Sequence, residues 1–266
     1  VLPTGTGKTR CETVILADAI LSSPEKFNIY VINAPRIVLT FQLFLEVYEF
    51  MASKDIEARY MFVHSGGKAD EAEMLKILVQ YKDQMKISYQ EMDSGTTIES
   101  IVSLAEKAQR QNLPLILISS YNSAPRIAGL LKKLNKRISV MINDEAHYLV
   151  QEQFNKVLHQ LDVERNYFFT ATLNTTASDE GNGMNNEALY GPVLYKLTPK
   201  EAIDLGRMVR PRIHLVKTNG VYNLEDYKKS ISKVIEDSFH QHEKELNNKI
   251  GAKLLVSVEG VLDIKV

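Results

Sequence analysis

Residues 3–9 of the chain read Pro3-Thr4-Gly5-Thr6-Gly7-Lys8-Thr9 and stand immediately before a helical pattern. Glycines let backbone N–H groups converge on phosphate oxygens, and the N-terminus of the following helix adds the positive end of its dipole. In such a loop a lysine reaches the β- and γ-phosphates and a threonine hydroxyl binds Mg²⁺. The stretch therefore predicts a nucleoside triphosphate site, although Leu2 stands where the full pattern has its first glycine. The residues assigned to this site are Thr4, Gly5, Thr6, Gly7, Lys8 and Thr9.

Outward from this loop, short apolar runs alternate with longer amphipathic segments. The runs with the composition of strands are 29–34, 58–63, 115–119, 139–143, 167–170 and 193–197. Runs that are apolar throughout are typical of parallel strands covered on both faces. The helical patterns between them are 10–21, 37–51, 69–80, 98–111, 125–134 and 151–161. The fold class predicted is α/β, a mostly parallel sheet sandwiched by helices.

A pair of acidic residues follows the apolar run 139–143, in the sequence Asp144-Glu145-Ala146-His147. The carboxyl edge of a parallel sheet is where a phosphate-bound Mg²⁺ would lie. We assign Asp144 to the metal and Glu145 to the general base that orients or deprotonates an attacking water. Taken alone, the tetrapeptide could equally be an exposed turn, and its position after a strand together with the phosphate loop favours the catalytic interpretation.

These two motifs together resemble those of the superfamily 2 helicases and translocases, whose motifs I and II they match in order and spacing. The resemblance implies a RecA-like P-loop fold, ATP and Mg²⁺ as cofactors, and a catalytic role for His147 beside Lys8, Asp144 and Glu145. Further along, Thr170-Ala171-Thr172 resembles motif III, which couples the nucleotide state to the grip on nucleic acid in that family.

Two strand ends resemble the motifs that touch the nucleic-acid backbone in the same family. They contain Pro35 and Arg36 after the first run, and Ser120, Tyr121 and Asn122 after the run 115–119. Their groups suit phosphate contacts without base readout. Two alternatives stay open: Arg36 as a surface arginine at a helix start, and Tyr121 as an aromatic side chain packed beside the sheet.

The segments 189–193, 200–203 and 210–211 are similar to the end of the first motor domain in type I and type III restriction translocase subunits and in phage and repair helicases. The resemblance implies a first RecA-like ATP-binding domain at 1–212, lacking its upstream part, and a linker with the beginning of a second domain at 213–266. We expect a fragment that binds ATP weakly and hydrolyses it slowly, because an arginine finger is expected from outside the chain.

The composition is that of an ordinary globular protein, with 44% apolar and 24% charged residues among 266. The formal net charge of -1 gives no overall attraction to nucleic acid or anionic lipid, so a site for a polyanion must be local. No apolar run approaches the ~20 residues of a membrane helix. The single cysteine, Cys11, cannot form an internal disulfide and is expected to face the sheet. These features predict a cytoplasmic protein without a membrane partner.

The function predicted is an ATP-dependent helicase or translocase motor acting on nucleic acid, with DNA favoured over RNA by the restriction-subunit resemblance. Subunits of a restriction or repair complex are the further partners expected. The alternative is a P-loop ATPase that acts as a regulatory or assembly switch and does not move along nucleic acid.

Overall fold

The computed structural model describes residues 1–63, 93–95, 97–155 and 161–210, together with 232–233, 236–237 and 240. The chain divides into two compact units, Val1–Val209 and Arg210–Val266. The architecture that follows is that of the first unit. The predicted helix at 69–80, residues 156–160 of the predicted helix at 151–161 and nearly all of the segment 213–266 lie outside the described residues. The division into two RecA-like domains stays a prediction.

A six-stranded parallel sheet forms the centre of the described part of the first unit, in the order β3-β2-β4-β1-β5-β6. Its strands are β1 Ile29–Ala34, β2 Arg59–Val63, β3 Asp93–Gly95, β4 Leu115–Ser120, β5 Ile138–Asn143 and β6 Val163–Phe168. Because all strands run the same way, the loops after β1, β4 and β5 emerge at one edge of the sheet. The structure confirms the predicted α/β class.

Helices cover both faces of this sheet. The described helices are α1 Lys8–Leu21, α2 Ile37–Ala52, α3 Ile98–Gln111, α4 Ala124–Leu134, α5 Glu187–Tyr190 and α6 Pro199–Asp204, with a helical turn at 152–155 and 3₁₀ turns at Tyr121–Ser123 and Ala146–Val150. Alternate residues of β1 point to opposite faces, so Ile32 packs with α1 and α2 while Val31 packs with α3 and α4. No helix in the described ranges is long and apolar enough to span a membrane.

Two strand predictions are wrong in detail. The strand expected at 167–170 runs instead over β6, whose residues Glu164, Arg165 and Asn166 are polar and exposed and so lack the apolar signal. The segment 193–197 has strand-like composition but forms no strand in the described chain; its backbone instead meets Val1 through Tyr195 and Leu197. The prediction that Cys11 faces the sheet is also wrong, because the residue is exposed.

A row of polar side chains crosses four neighbouring strands near their carboxyl ends. Ser119 of β4 donates to Asn33 of β1, Asn33 donates to Asn143 of β5 over 3.1 Å, and Asn143 donates to Asn166 of β6 over 2.7 Å. Ser119, Asn33 and Asn143 are buried. We call these four side chains the polar row. Asn33 and Asn143 each donate and accept within the row, and Asn166 accepts at its end. These bonds satisfy polar groups that would otherwise be destabilising in the core.

Candidate active site

The loop at residues 3–9 has the backbone geometry of an anion cradle. Gly5 and Gly7 have φ values of 80° and 94°, a region that residues with a Cβ rarely adopt. The Thr6 hydroxyl donates to the Pro3 carbonyl over 2.6 Å and so closes the loop on itself. Gly7 then precedes α1 without a side-chain cap. The first amides of α1 are therefore available to phosphate oxygens, together with the helix dipole.

The structure brings Lys8 and the acidic strand end together across 137 positions of sequence. The Nζ atom of Lys8 lies 2.6 Å from Oε1 of Glu145, and both side chains are largely shielded from solvent. Asp144 follows β5 directly and is buried, and its Oδ1 accepts the backbone N–H of Glu145 over 2.8 Å. Burial raises the pKa of Asp144, and the adjacent Glu145 raises it further, whereas Lys8 lowers it.

Thr170 connects the acidic motif to the beginning of the phosphate loop. Its backbone carbonyl accepts the N–H of Leu2 over 2.9 Å. Its hydroxyl donates to the Thr172 carbonyl over 2.8 Å and is therefore the acceptor toward Nδ1 of His147, 3.1 Å away. The same Nδ1 lies 3.4 Å from Oε2 of Glu145. Glu145 and the start of the phosphate loop thus both contact the turn at Thr170 and Thr172, directly or through His147.

The predicted nucleic-acid residues divide into two groups. Arg36 and Asn122 are exposed and Pro35 is half-buried, and they follow β1 and β4, which are neighbours in the sheet. Ser120 and Tyr121 are instead 2% and 1% exposed.

The burial of these two side chains has a clear structural basis. The Ser120 hydroxyl is hydrogen-bonded to that of Ser123 at 3.0 Å, and the Tyr121 hydroxyl donates to the Asp144 carbonyl over 2.7 Å. The ring of Tyr121 also lies against Phe154. Both hydroxyl groups are occupied inside the protein, which argues against the backbone contacts predicted for Ser120 and Tyr121 and favours the alternative of a packed tyrosine.

One acidic residue of the site is absent from the sequence prediction. Glu12 lies on α1 and is buried, and its carboxyl group is close enough to that of Asp144 to interact with it directly. Burial raises the pKa of Glu12 to about 9, with Asp144 as the next contributor. The signal that could have revealed it is its spacing from Lys8, because positions i and i+4 lie on one face of a helix.

The donor set fits Mg²⁺. No cluster of three or more His, Cys, Asp or Glu side chains in the described residues could hold a metal ion by itself. Mg²⁺ accompanying a nucleotide is held differently, by one or two protein oxygens, phosphate oxygens and water. Thr9 at the start of α1 and Asp144 at the end of β5 offer a hydroxyl and a carboxylate for that mode. The carboxyl oxygens of Glu12 lie beside them, buried and without a hydrogen-bond donor among the described residues.

Sequence comparison now defines the family. Residues 1–175, well over half of the chain, match the family described as type III restriction enzyme, res subunit. The chain belongs to this family. No curated protein sequence matches it. Membership of the restriction Res family confirms the predicted resemblance to superfamily 2 helicases near the restriction subunits, an ATP-dependent helicase or translocase group.

Two solved structures share the fold of this Res-family chain. One is described as the ATP-dependent type ISP restriction-modification enzyme LlaBIII bound to DNA, with a TM-score of 0.56, 20% identity, and coverage of 77% of this chain and 14% of that one. The other is a nuclease-deletion mutant of the type ISP enzyme LlaGI in complex with a DNA substrate mimic, with a TM-score of 0.56, 17% identity, and coverage of 94% and 21%. The chain therefore spans about a fifth or less of each enzyme. These similarities support the RecA-like fold.

Proposed function

We propose that this Res-family chain is the nucleotide-binding part of an ATP-dependent motor that moves along DNA. The observation that carries the proposal is the 2.6 Å contact between Lys8 and Glu145, which brings the phosphate loop and the acidic strand end into one site. A site that holds a triphosphate at one side and a carboxylate base at the other has the parts that phosphoryl transfer to water requires.

Each side chain has a defined part in this chemistry. The amides after Gly7 and the ammonium group of Lys8 bind phosphate oxygens and neutralise their charge. Thr9 and Asp144 hold Mg²⁺, which supplies further charge neutralisation at the phosphates when it is bound. Once Lys8 turns to phosphate, Glu145 is released from its ion pair and can accept a proton from the attacking water.

His147, Thr170 and Thr172 form the coupling element in this proposal. The hydrogen bond from His147 to Thr170 joins the turn that carries Glu145 to the turn that follows β6. Since Glu145 lies within 3.4 Å of His147, a change at the phosphates alters a contact that extends to Thr172. Through such a contiguous set of hydrogen bonds, a change in the bound nucleotide can alter the nucleic-acid interface.

DNA is the proposed track, held through its phosphate backbone at the carboxyl edge of the sheet. Arg36 and Asn122 are exposed there beside Pro35, and the two solved structures with the same fold are described as complexes with DNA or a DNA mimic. We further propose that the motor works in the cytoplasm within a restriction or repair complex, as the family assignment suggests.

ATP hydrolysis by the protein that carries this chain tests the proposal. We expect turnover to rise when single- or double-stranded DNA is added, and to fall about 10²- to 10⁴-fold in Glu145→Gln, because the base is lost while the shape is kept. Asp18→Asn is the matched control, since Asp18 is an exposed acidic residue of α1 outside the site.

The result also separates the motor from the regulatory switch. Turnover that depends on Glu145 and is indifferent to DNA and RNA would reject translocation and favour a switch. Turnover that is unaffected by Glu145→Gln would reject the catalytic assignment itself.

A further inference from the structure

Glu12 is a buried acidic residue to which the proposed hydrolysis gives no role. Its side chain is 1% exposed, and neither carboxyl oxygen meets a hydrogen-bond donor. It lies one helical turn after Lys8 in α1, and the charged groups that act on it are those of Asp144, Lys8 and Glu145. The carboxyl group therefore belongs to the interior of the candidate active site.

The neighbouring polar groups of α1 are engaged elsewhere. The Thr13 hydroxyl donates to the carbonyl of Arg10 over 2.9 Å, and the Arg10 guanidinium lies 4.2 Å from the centre of the Phe50 ring. The ammonium group of Lys8 is paired with Glu145. None of these three side chains donates a hydrogen bond to Glu12. A buried carboxyl group without a donor or a cation is destabilising.

Packing alone gives no reason for a carboxyl group here. The other buried members of this helix face are Thr13, Leu16, Ala17 and Ala19, which are small or apolar. An apolar residue would fill the position without the desolvation of two carboxyl oxygens. A cation bound at Asp144 would supply positive charge to both carboxyl groups at once, because they are in contact.

We propose that Glu12 is a third acidic residue of the Mg²⁺ site, a positioning residue that acts through Asp144, whose carboxyl group it contacts from α1. This inference rests on the proposed function and deepens it, since it assigns to α1 a buried carboxyl group that holds the cation ligand at the end of β5 in place. Residues that orient a metal ligand from outside the coordination sphere typically change metal affinity by about 10- to 100-fold when they are replaced.

Mn²⁺ binding to the ADP complex of the full chain tests this role, with Mn²⁺ as the paramagnetic probe and free Mn²⁺ read by electron paramagnetic resonance. We expect Glu12→Gln to weaken Mn²⁺ binding about tenfold. ADP affinity measured in EDTA should stay unchanged, because the phosphate contacts come from the loop and Lys8. Glu12→Asp, which keeps the carboxyl group, should retain more Mn²⁺ affinity than Glu12→Gln, which keeps the shape.

Two further variants separate this inference from the function beneath it. Asp18→Asn removes an exposed carboxylate from the same helix and should leave Mn²⁺ binding unchanged. If Asp144→Asn loses Mn²⁺ while Glu12→Gln binds it as well as the native protein, the role of Glu12 is rejected and the cation site stands. If neither substitution affects Mn²⁺, the cation site itself is wrong, and the proposed function falls with it.

Thermal melting of each variant accompanies the titration. Gln has nearly the shape of Glu and removes a buried ionisable group, so Glu12→Gln should melt no lower than the native protein. A loss of Mn²⁺ affinity in a variant that melts normally supports the positioning role. A loss that appears only where melting is lowered contradicts it.

Discussion

Glu145 adopts φ 50° and ψ 46°, in the left-handed region that residues with a Cβ rarely occupy. It stands between the end of β5 and the 3₁₀ turn at Ala146–Val150. Its amide is bonded to Asp144 and its carboxylate to Lys8, so the strained backbone is fixed from both sides. This conformation directs the carboxylate of Glu145 toward the phosphate loop.

The strain predicts an order of stability for two substitutions that both remove the carboxylate. Glycine adopts the left-handed conformation freely, whereas alanine keeps the Cβ that makes it unfavourable. We expect Glu145→Gly to have a free energy of unfolding about 1 kcal/mol higher than that of Glu145→Ala. Denaturant unfolding of the two variants measures the difference, and equal midpoints would show that the backbone at this position is relaxed in solution.

Sequence motifs predicted the central pair of the site but not its acidic neighbour. Lys8 and Glu145 lie in patterns whose spacing has a chemical meaning, and the structure places them in contact. Glu12 belongs to no pattern, and its burial depends on how α1 packs against β5. The exposure of Cys11 has the same origin, because the sheet-facing positions of α1 begin with Glu12 and Thr13.

Among the elements, the amphipathic helix at 98–111 and the apolar run at 29–34 were predicted well. The predicted α3 coincides with the observed Ile98–Gln111, and β1 coincides with Ile29–Ala34. The bounds predicted for β6 were wrong, because Glu164, Arg165 and Asn166 at its centre do not have the apolar pattern of a buried strand. Pairing with β5 stabilises it regardless of its own composition.

The polar row makes a prediction for the sheet. Asn143→Leu would remove the acceptor of the Asn33 amide and the donor to Asn166, leaving buried polar groups unsatisfied. We expect it to lower the free energy of unfolding by about 2 kcal/mol. Met141→Leu in the same strand changes shape but no hydrogen bond, and should lower it less. Equal losses in chemical denaturation would mean that the row adds no stability beyond packing.

For the whole molecule, a net charge of -1 gives no overall attraction to DNA, so any DNA-binding surface must be local. Arg36 emerges after β1 at the carboxyl edge of the sheet, whereas Arg110 lies near the end of α3, just before β4, toward the opposite edge. Both arginines are exposed. Arg110 is therefore a matched control for Arg36, because the two side chains have the same charge and exposure class but lie at opposite edges of the sheet.

The proposed DNA surface predicts different effects for these two arginines. Arg36→Ala should weaken DNA binding several-fold and lower the dependence of affinity on salt by roughly one phosphate contact, while Arg110→Ala should change neither. Fluorescence anisotropy with a labelled oligonucleotide over a range of salt concentrations measures both quantities. If the two substitutions have equal effects on DNA affinity, the carboxyl edge at Arg36 is not the specific DNA-binding surface.

The polar row also bears on how the sheet is assembled. Because β1, β4 and β5 are apolar almost throughout, sliding one strand by two residues would keep apolar side chains on both faces. Asn33 lies directly opposite Ser119 and Asn143, so such a slide would bury its amide against aliphatic chains. It would also displace Asp144 by about 7 Å along the strand. The row thus favours one alignment of the strands, and that alignment sets the position of Asp144 and Glu145 relative to the phosphate loop.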